Sequence, residues 1–235
     1  MRQLRERNLD GIWRAANGHS HSAYSYGWLG YLDMYRATGD RRLLEAVLGG
    51  WEMYRAHWQH PSGTLAICES GEYPPDSLYV TPAAHTGEMC SMAWWAKLNY
   101  RLHQLFPTDD RYIAEVEKVI YNVGLADQVG KAICYHTHLE DKKESPAGIA
   151  HTCCEVVGTH LYSTLPEYIY SIADEGLDVN LYEPSAIHWT HAATAMELVQ
   201  ESRFPFDPNV ELRVKAPRAT AMNSRRADAS VVEAC

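Results

Sequence analysis

Phenylalanine is nearly missing from this 235-residue chain: three Phe stand against 15 Tyr and 7 Trp. The apolar content of 46% still provides a sizeable core. Its aromatic part, however, carries hydroxyl and indole N–H groups beside flat apolar faces. That bias suits a sugar-binding cleft and a wet core equally well. A basic patch is also lacking. Lys and Arg number 21 against 30 Asp and Glu, for a formal net charge of −9, which argues against nucleic acid as a partner. No apolar run of about 18 residues is present and no signal peptide is evident, so nothing here is expected to span a membrane. The six cysteines, at 68, 90, 134, 153, 154 and 235, include no Cys-x-x-Cys, which speaks against a thiol redox protein.

What the chain does have is a vicinal pair in Ala150-His151-Thr152-Cys153-Cys154-Glu155. Neighbouring Cα atoms are about 3.8 Å apart, whereas an unstrained disulfide wants roughly 4.4–6.8 Å. Two thiols that cannot easily bond to each other suggest a shared partner. Upstream, Glu88-Met89-Cys90 places a carboxylate and a thiol two residues apart. Together Glu88, Cys90, Cys153 and Cys154 offer one oxygen and three sulfur ligands, a set that suits zinc. Residues two apart on a helix point about 200° apart, so Glu88 and Cys90 can share an ion only at a helix start, which Thr86-Gly87 would supply. The competing account is a set of ordinary buried cysteines, which are common. Free thiolates on a metal imply a reducing compartment, hence a cytoplasmic location.

The pattern of apolar residues predicts helices over 24–37, 41–58, 88–106, 111–123 and 153–170, the last kinked or ended by Pro166. Thr38-Gly39-Asp40 and Pro107-Thr108-Asp109-Asp110 separate the first four. A Gly- and Pro-rich loop runs from Ile67 to Pro82, and long ordered loops are disproportionately functional. Residues 130–139 alternate weakly, as a short strand does. Strands are predicted at Leu177–Tyr182, Ile187–Trp189 and Val210–Val214. Beyond Pro217 no period is visible. Helix pairs early and strands late predict a mainly α fold in which a partial helical toroid runs into a β element. The divisions are 1–176, 177–217 and a structureless 218–235.

One carboxylate stands out in the loop: Glu72, in Ser70-Gly71-Glu72-Tyr73-Pro74. A general acid must stay protonated near neutral pH and needs an apolar or anionic setting. Tyr73, Pro74 and Pro75 could provide one. Alone, a loop glutamate is more often simply solvated.

Gly71-Glu72, then Glu88-x-Cys90 sixteen residues later, then Cys153-Cys154, resembles glycoside hydrolase family 127, the β-L-arabinofuranosidases and their relatives. Gly30 to Asp40, Tyr121-Asn122 and Val179 to Ser185 support the likeness, which covers about residues 18–215. The resemblance implies an (α/α)6 barrel followed by β-sandwich domains, and retaining hydrolysis of a small carbohydrate with a zinc-bound cysteine as nucleophile. Carried over, Cys153 matches that nucleophile, Glu88, Cys90 and Cys154 the remaining zinc ligands, and Glu72 the acid/base. Tyr135 lines up with a substrate-contacting tyrosine. A family histidine falls at His19 or His21, and His151 beside the pair joins the sugar-contacting candidates. After the pair the chain reads Glu155-Val156-Val157-Gly158-Thr159 where relatives carry Pro-Pro-Asn or a Gly-Thr-Gly run, so the specificity implied can differ. A six-hairpin barrel needs about twelve helices against the five or six predicted, so the chain reads as a fragment with little expected activity of its own. The alternative is a non-catalytic zinc-binding helical fragment.

Overall fold

The computed structural model describes residues 20–57, 59, 63, 86–129, 132–137, 153–174, 176–217 and 223–225. The chain parts into two compact units, Met1–Tyr162 and Ser163–Cys235. Among the described residues the first is mainly helical, with four short strands. Helices α1 (Ser20–Thr38) and α2 (Arg41–His57) form an antiparallel hairpin across Gly39, whose φ of 70° lies in the left-handed region. Asp40 opens α2 by accepting the Arg42 N–H at 3.1 Å. Strand β1 (Thr86–Glu88) leads directly into α3 (Met89–Leu105). Helix α4 (Asp110–Lys118) begins at Asp109, whose carboxylate accepts the Arg111 N–H. The Arg111 guanidinium holds that carboxyl below its ordinary pKa.

Helix α3 is buried on most of its circumference, from Met89 through Ala93 and on through Trp95, Ala96, Leu98, Asn99, Leu102 and His103. A helix buried over so much of its surface lies inside its unit, and α3 packs against both α1 and α4. The core around it is aromatic. Trp28, Trp51, Tyr54 and Trp95 are fully buried, with Trp51 and Trp95 stacked at 6.3 Å and Trp28 edge-on to Tyr54 at 4.8 Å. Their polar handles are satisfied: Trp51 Nε1 donates to Asn99 Oδ1 at 2.6 Å, and Trp95 Nε1 to Glu115 Oε2 at 3.3 Å. Of the two readings of the Tyr and Trp bias, the described part of this unit shows the wet core.

After α4 the chain does not continue as one α-helix. It widens into a π-helical segment, Val119–Gly124, and a last short turn, Leu125–Asp127. The predicted strand over 130–139 is two short pieces, β3 (Ala132–Ile133), paired with β2 (Gln128–Val129), and β4 (His136–Thr137), paired with β1.

Helix α5 (Cys153–Ser163) is shorter than the predicted 153–170. It ends at Thr164, and Pro166 enters the first turn of a separate helix, α6 (Leu165–Ile169), where its missing N–H costs nothing. Tyr170 then begins a strand, β5 (Tyr170–Ala173), which pairs with β6 (Gly176–Val179). Strand pairing in the second unit therefore begins at Tyr170, ahead of the strand predicted at Leu177–Tyr182.

The second unit also holds an antiparallel sheet β7-β8-β9, from Ser185–His191, Thr194–Ser202 and Val210–Lys215. Along β8 buried and exposed residues alternate, and Met196 and Leu198 join Leu177, Val179, Trp189 and Leu212 in one core. Three residues of the tail predicted to be structureless, Asn223–Arg225, form β10, parallel to β6. Among the described residues no crossover helix joins those two strands; β7, β8 and β9 lie between them in the chain. Among the described residues no helix is long and apolar enough to cross a membrane.

Two glycines adjacent in α2 should respond oppositely to alanine. A Cβ at Gly50 would lie 2.2 Å from the Trp28 ring, while one at Gly49 meets nothing within 4 Å. In a helix interior alanine is favoured over glycine by about 1 kcal/mol, whereas overpacking costs about 1–3 kcal/mol. Gly49→Ala is expected to raise the denaturant midpoint and Gly50→Ala to lower it.

The β7–β8 turn offers a second test. Its two residues, Ala192 and Ala193, have φ of 46° and 58°, a conformation that costs a non-glycine residue roughly 1–2 kcal/mol. Ala193→Gly is expected to stabilise the chain by about 1 kcal/mol in equilibrium unfolding.

Candidate metal centre

Two helix starts meet here. Glu88 ends β1 and is the N-cap position of α3; Cys90 is the second residue of that helix, and Cys153 and Cys154 are the first two of α5. Two residues that would diverge within a helix can converge because Glu88 is still extended, at φ −58° and ψ 130°. Gly87, at φ 66°, sits where the β1–β4 register slips, so that Glu88 comes opposite His136. A residue with a Cβ would resist that left-handed bulge. The Met89 N–H donates to the Tyr135 carbonyl at 3.0 Å and locks the junction.

One ligand atom from each of Glu88, Cys90, Cys153 and Cys154 lies within 4.8 Å of the others. The Cys154 thiol donates to Cys90 Sγ at 3.3 Å and lies 3.7 Å from Glu88 Oε1. Glu88 Oε2 accepts the Ser91 hydroxyl at 2.9 Å. Glu88, Cys90 and Cys154 are buried, at 2%, 4% and 0% exposure, whereas Cys153 is exposed. Helix α5 approaches closely because Gly158, one turn beyond Cys154, has no side chain. A Cβ there would stand 3.0 Å from Ile133 Cδ1 and from Met89 Cε.

The electrostatics oppose ionisation of the Cys153 and Cys154 thiols. The hydrogen bond to Cys90, then burial and the nearby Glu88, push the Cys154 thiol far above its ordinary range. Cys153 is raised too, chiefly by desolvation. The two helix N-termini act in the other direction, by about 0.3–1 kcal/mol each, which is less than one pKa unit. At Cys154, where the rise is large, crowding therefore wins unless positive charge is added. Zinc bonds of about 2.3 Å to sulfur and 2.0–2.2 Å to oxygen put tetrahedral ligands roughly 3.5–3.8 Å apart. The donor set and its spacing fit such an ion after shifts of about 1 Å.

Tyr135 is half-buried next to the cluster, joined to it by its carbonyl, with its ring 4.3 Å from that of His136. His21 lies on α1, but its side chain is outside the described residues, as are Glu72, His19 and His151 altogether. Two residues were missed by sequence reasoning: Ser91, and His136, which is buried beside Glu88 in the ladder. Ser91 had a signal, its place three residues after Glu88 at a helix start. His136 had none, since strand register is not written locally.

No family model matches the chain. A non-reducing end β-L-arabinofuranosidase of Bifidobacterium longum subsp. longum is 24% identical over 237 residues, covering 91% of this chain and 34% of that protein. Among solved structures, a GH127 β-L-arabinofuranosidase from Geobacillus stearothermophilus T6 matches with a TM-score of 0.70 at 21% identity, over 88% of this chain and 35% of that one. A second GH127 β-arabinofuranosidase matches with a TM-score of 0.73 at 21% identity, over 86% and 33%. The chain shares its fold with part of these enzymes. It spans about a third of the length of the relatives it matches.

The exposure pattern predicts an order of thiol reactivity. In the folded chain without metal, peptide mapping after brief alkylation should find Cys153 modified well before Cys90 and Cys154. Equal labelling of all three would contradict the geometry.

Proposed function

We propose that this chain carries catalytic residues of a retaining glycoside hydrolase acting on β-L-arabinofuranosides or a related sugar. Its helix hairpins would be part of an (α/α)6 barrel, followed from about residue 177 by the start of a β-sandwich domain. The observation that carries the reading is the unequal exposure of the cluster: three donors are buried and Cys153 alone is open. A purely structural site has no need of an accessible sulfur, whereas a nucleophile must reach its substrate. The sequence likeness to a β-L-arabinofuranosidase supports the substrate class.

Glu88, Cys90, Cys153 and Cys154 would hold zinc. Bound there, the ion supplies the positive charge that keeps the sulfurs ionised near neutral pH. In the first step the Cys153 sulfur attacks the anomeric carbon; a sulfur–carbon bond forms and the glycosidic carbon–oxygen bond breaks. Glu72 gives its proton to the departing oxygen. In the second step Glu72 takes a proton from water, the water oxygen bonds the anomeric carbon, and the sulfur leaves as thiolate. Two inversions give net retention, and the acid/base and nucleophile of such a pair work about 5–5.5 Å apart. Tyr135 and one of His19 or His21, with His151, would contact the sugar. Sulfurs held reduced in this way fit a cytoplasmic setting.

The test combines metal content with covalent trapping. Elemental analysis is expected to find about one zinc per chain, and Cys90→Ser to lower it. An arabinofuranose analogue with an electrophilic anomeric carbon should label Cys153 in a mass-spectrometric peptide map. Cys153→Ala should abolish the label. In enzyme that turns over, Glu72→Gln should spare the first step for substrates with activated leaving groups and slow the second. Labelling that persists in Cys153→Ala would sink the mechanism, and a zinc-loaded chain that never labels would favour a non-catalytic zinc-binding fragment.

A further inference from the structure

We propose that Ser91 is a positioning residue for the cation site, holding Glu88 so that it offers one oxygen and the site closes as four-coordinate. The inference rests on the metal reading of the cluster and adds a residue that the likeness to the arabinofuranosidases did not supply. Glu88 stands at the N-cap of α3, where a carboxylate normally accepts a backbone N–H from the second or third helical residue. It makes no such bond. Instead its Oε2 accepts the side-chain hydroxyl of Ser91, itself the third residue of the helix, at 2.9 Å. Both side chains are buried, Ser91 completely.

The consequence is a division of labour between the two carboxylate oxygens. Oε2 is occupied by the hydroxyl, and Oε1 faces Cys154 Sγ at 3.7 Å, inside the ligand cluster. A carboxylate with one oxygen tied back cannot easily bind through both. Three sulfurs and one oxygen then make four ligands, the number zinc prefers in a closed set. Without the hydroxyl, Glu88 is free to turn back and cap the backbone N–H of residue 91, or to bind through both oxygens and add a fifth donor. Partners of this outer kind are worth about 10–100-fold in metal affinity.

Cobalt(II) reports both affinity and coordination number, because four-coordinate cobalt lacks a centre of symmetry and absorbs strongly in the visible. The full chain would be titrated with Co2+ against a chromophoric chelator, as wild type, Ser91→Ala and the isosteric pair Ser91→Thr and Ser91→Val. Wild type and Ser91→Thr are expected to bind with the strong four-coordinate band. Ser91→Ala and Ser91→Val are expected to bind about 10–100-fold more weakly, with that band diminished. The Thr and Val variants differ in the hydroxyl and hardly in shape, so a packing defect would weaken both alike and overturn the proposal. Equal affinity and equal spectra for wild type and Ser91→Ala would overturn it as well. A wild-type chain that takes up neither Co2+ nor Zn2+ would remove the metal reading itself, and the role of Ser91 with it.

Discussion

Three sulfurs and a carboxylate cannot share a space under 5 Å across as four anions. Two like charges about 4 Å apart repel by about 4 kcal/mol at an effective dielectric constant of about 20, and a folded chain has only about 5–15 kcal/mol of stability in all. The charge must be removed by protons or balanced by a cation. The first solution is the one the raised Cys153 and Cys154 thiols describe. The second is the chemistry proposed for the site. Either way the backbone must hold the four donors against one another, and three devices in the helical unit do so: the left-handed Gly87 before Glu88, the Tyr135 carbonyl on Met89, and the bare Gly158 face of α5.

Behind that wall the unit spends its polar groups on order. Glu115 is almost completely buried, yet it meets Lys118 Nζ at 2.8 Å, Arg55 Nε at 3.2 Å, Trp95 Nε1 and the Gln59 amide. These partners offset the cost of desolvating the carboxylate, and removing them would strand a charge. Asn99 bridges Trp51 and the Trp95 carbonyl on the same face of α3. These bonds fix the rotation of α3 about its axis. That rotation decides where Cys90 and Ser91 point, so the aromatic core and the sulfur cluster are parts of one alignment.

Much of this was legible locally. The α1–α2 break at Gly39 and the Asp109 cap use residues whose backbone preferences act within a few positions. The convergence of Glu88 with Cys90 followed from a helix start at Thr86-Gly87, and that of Cys153 with Cys154 from adjacency. What was not legible depended on partners distant in sequence. Tyr170 has the look of a helix end but is held extended by Val179. Strand β8 escaped notice because its hairpin turn is Ala192-Ala193, without the Asn-Gly or Asp-Gly that usually marks such a turn. The π-helical widening at Val119–Gly124 has no pattern in its residues. The Tyr162 hydroxyl donates to the Gly124 carbonyl there.

Cys90 and Cys154 are 64 positions apart in the chain. A cation gripping both ends of that span is also a cross-link. Closing a loop of this length removes about 4 kcal/mol of chain entropy from the unfolded state on the disulfide scale, comparable with a large share of a domain's stability. The same ion that would charge a nucleophile would therefore also bind α3 to α5, so that loss of the metal loosens the architecture that presents Cys153. In such a protein, catalytic competence and the tethering of distant chain segments are lost together.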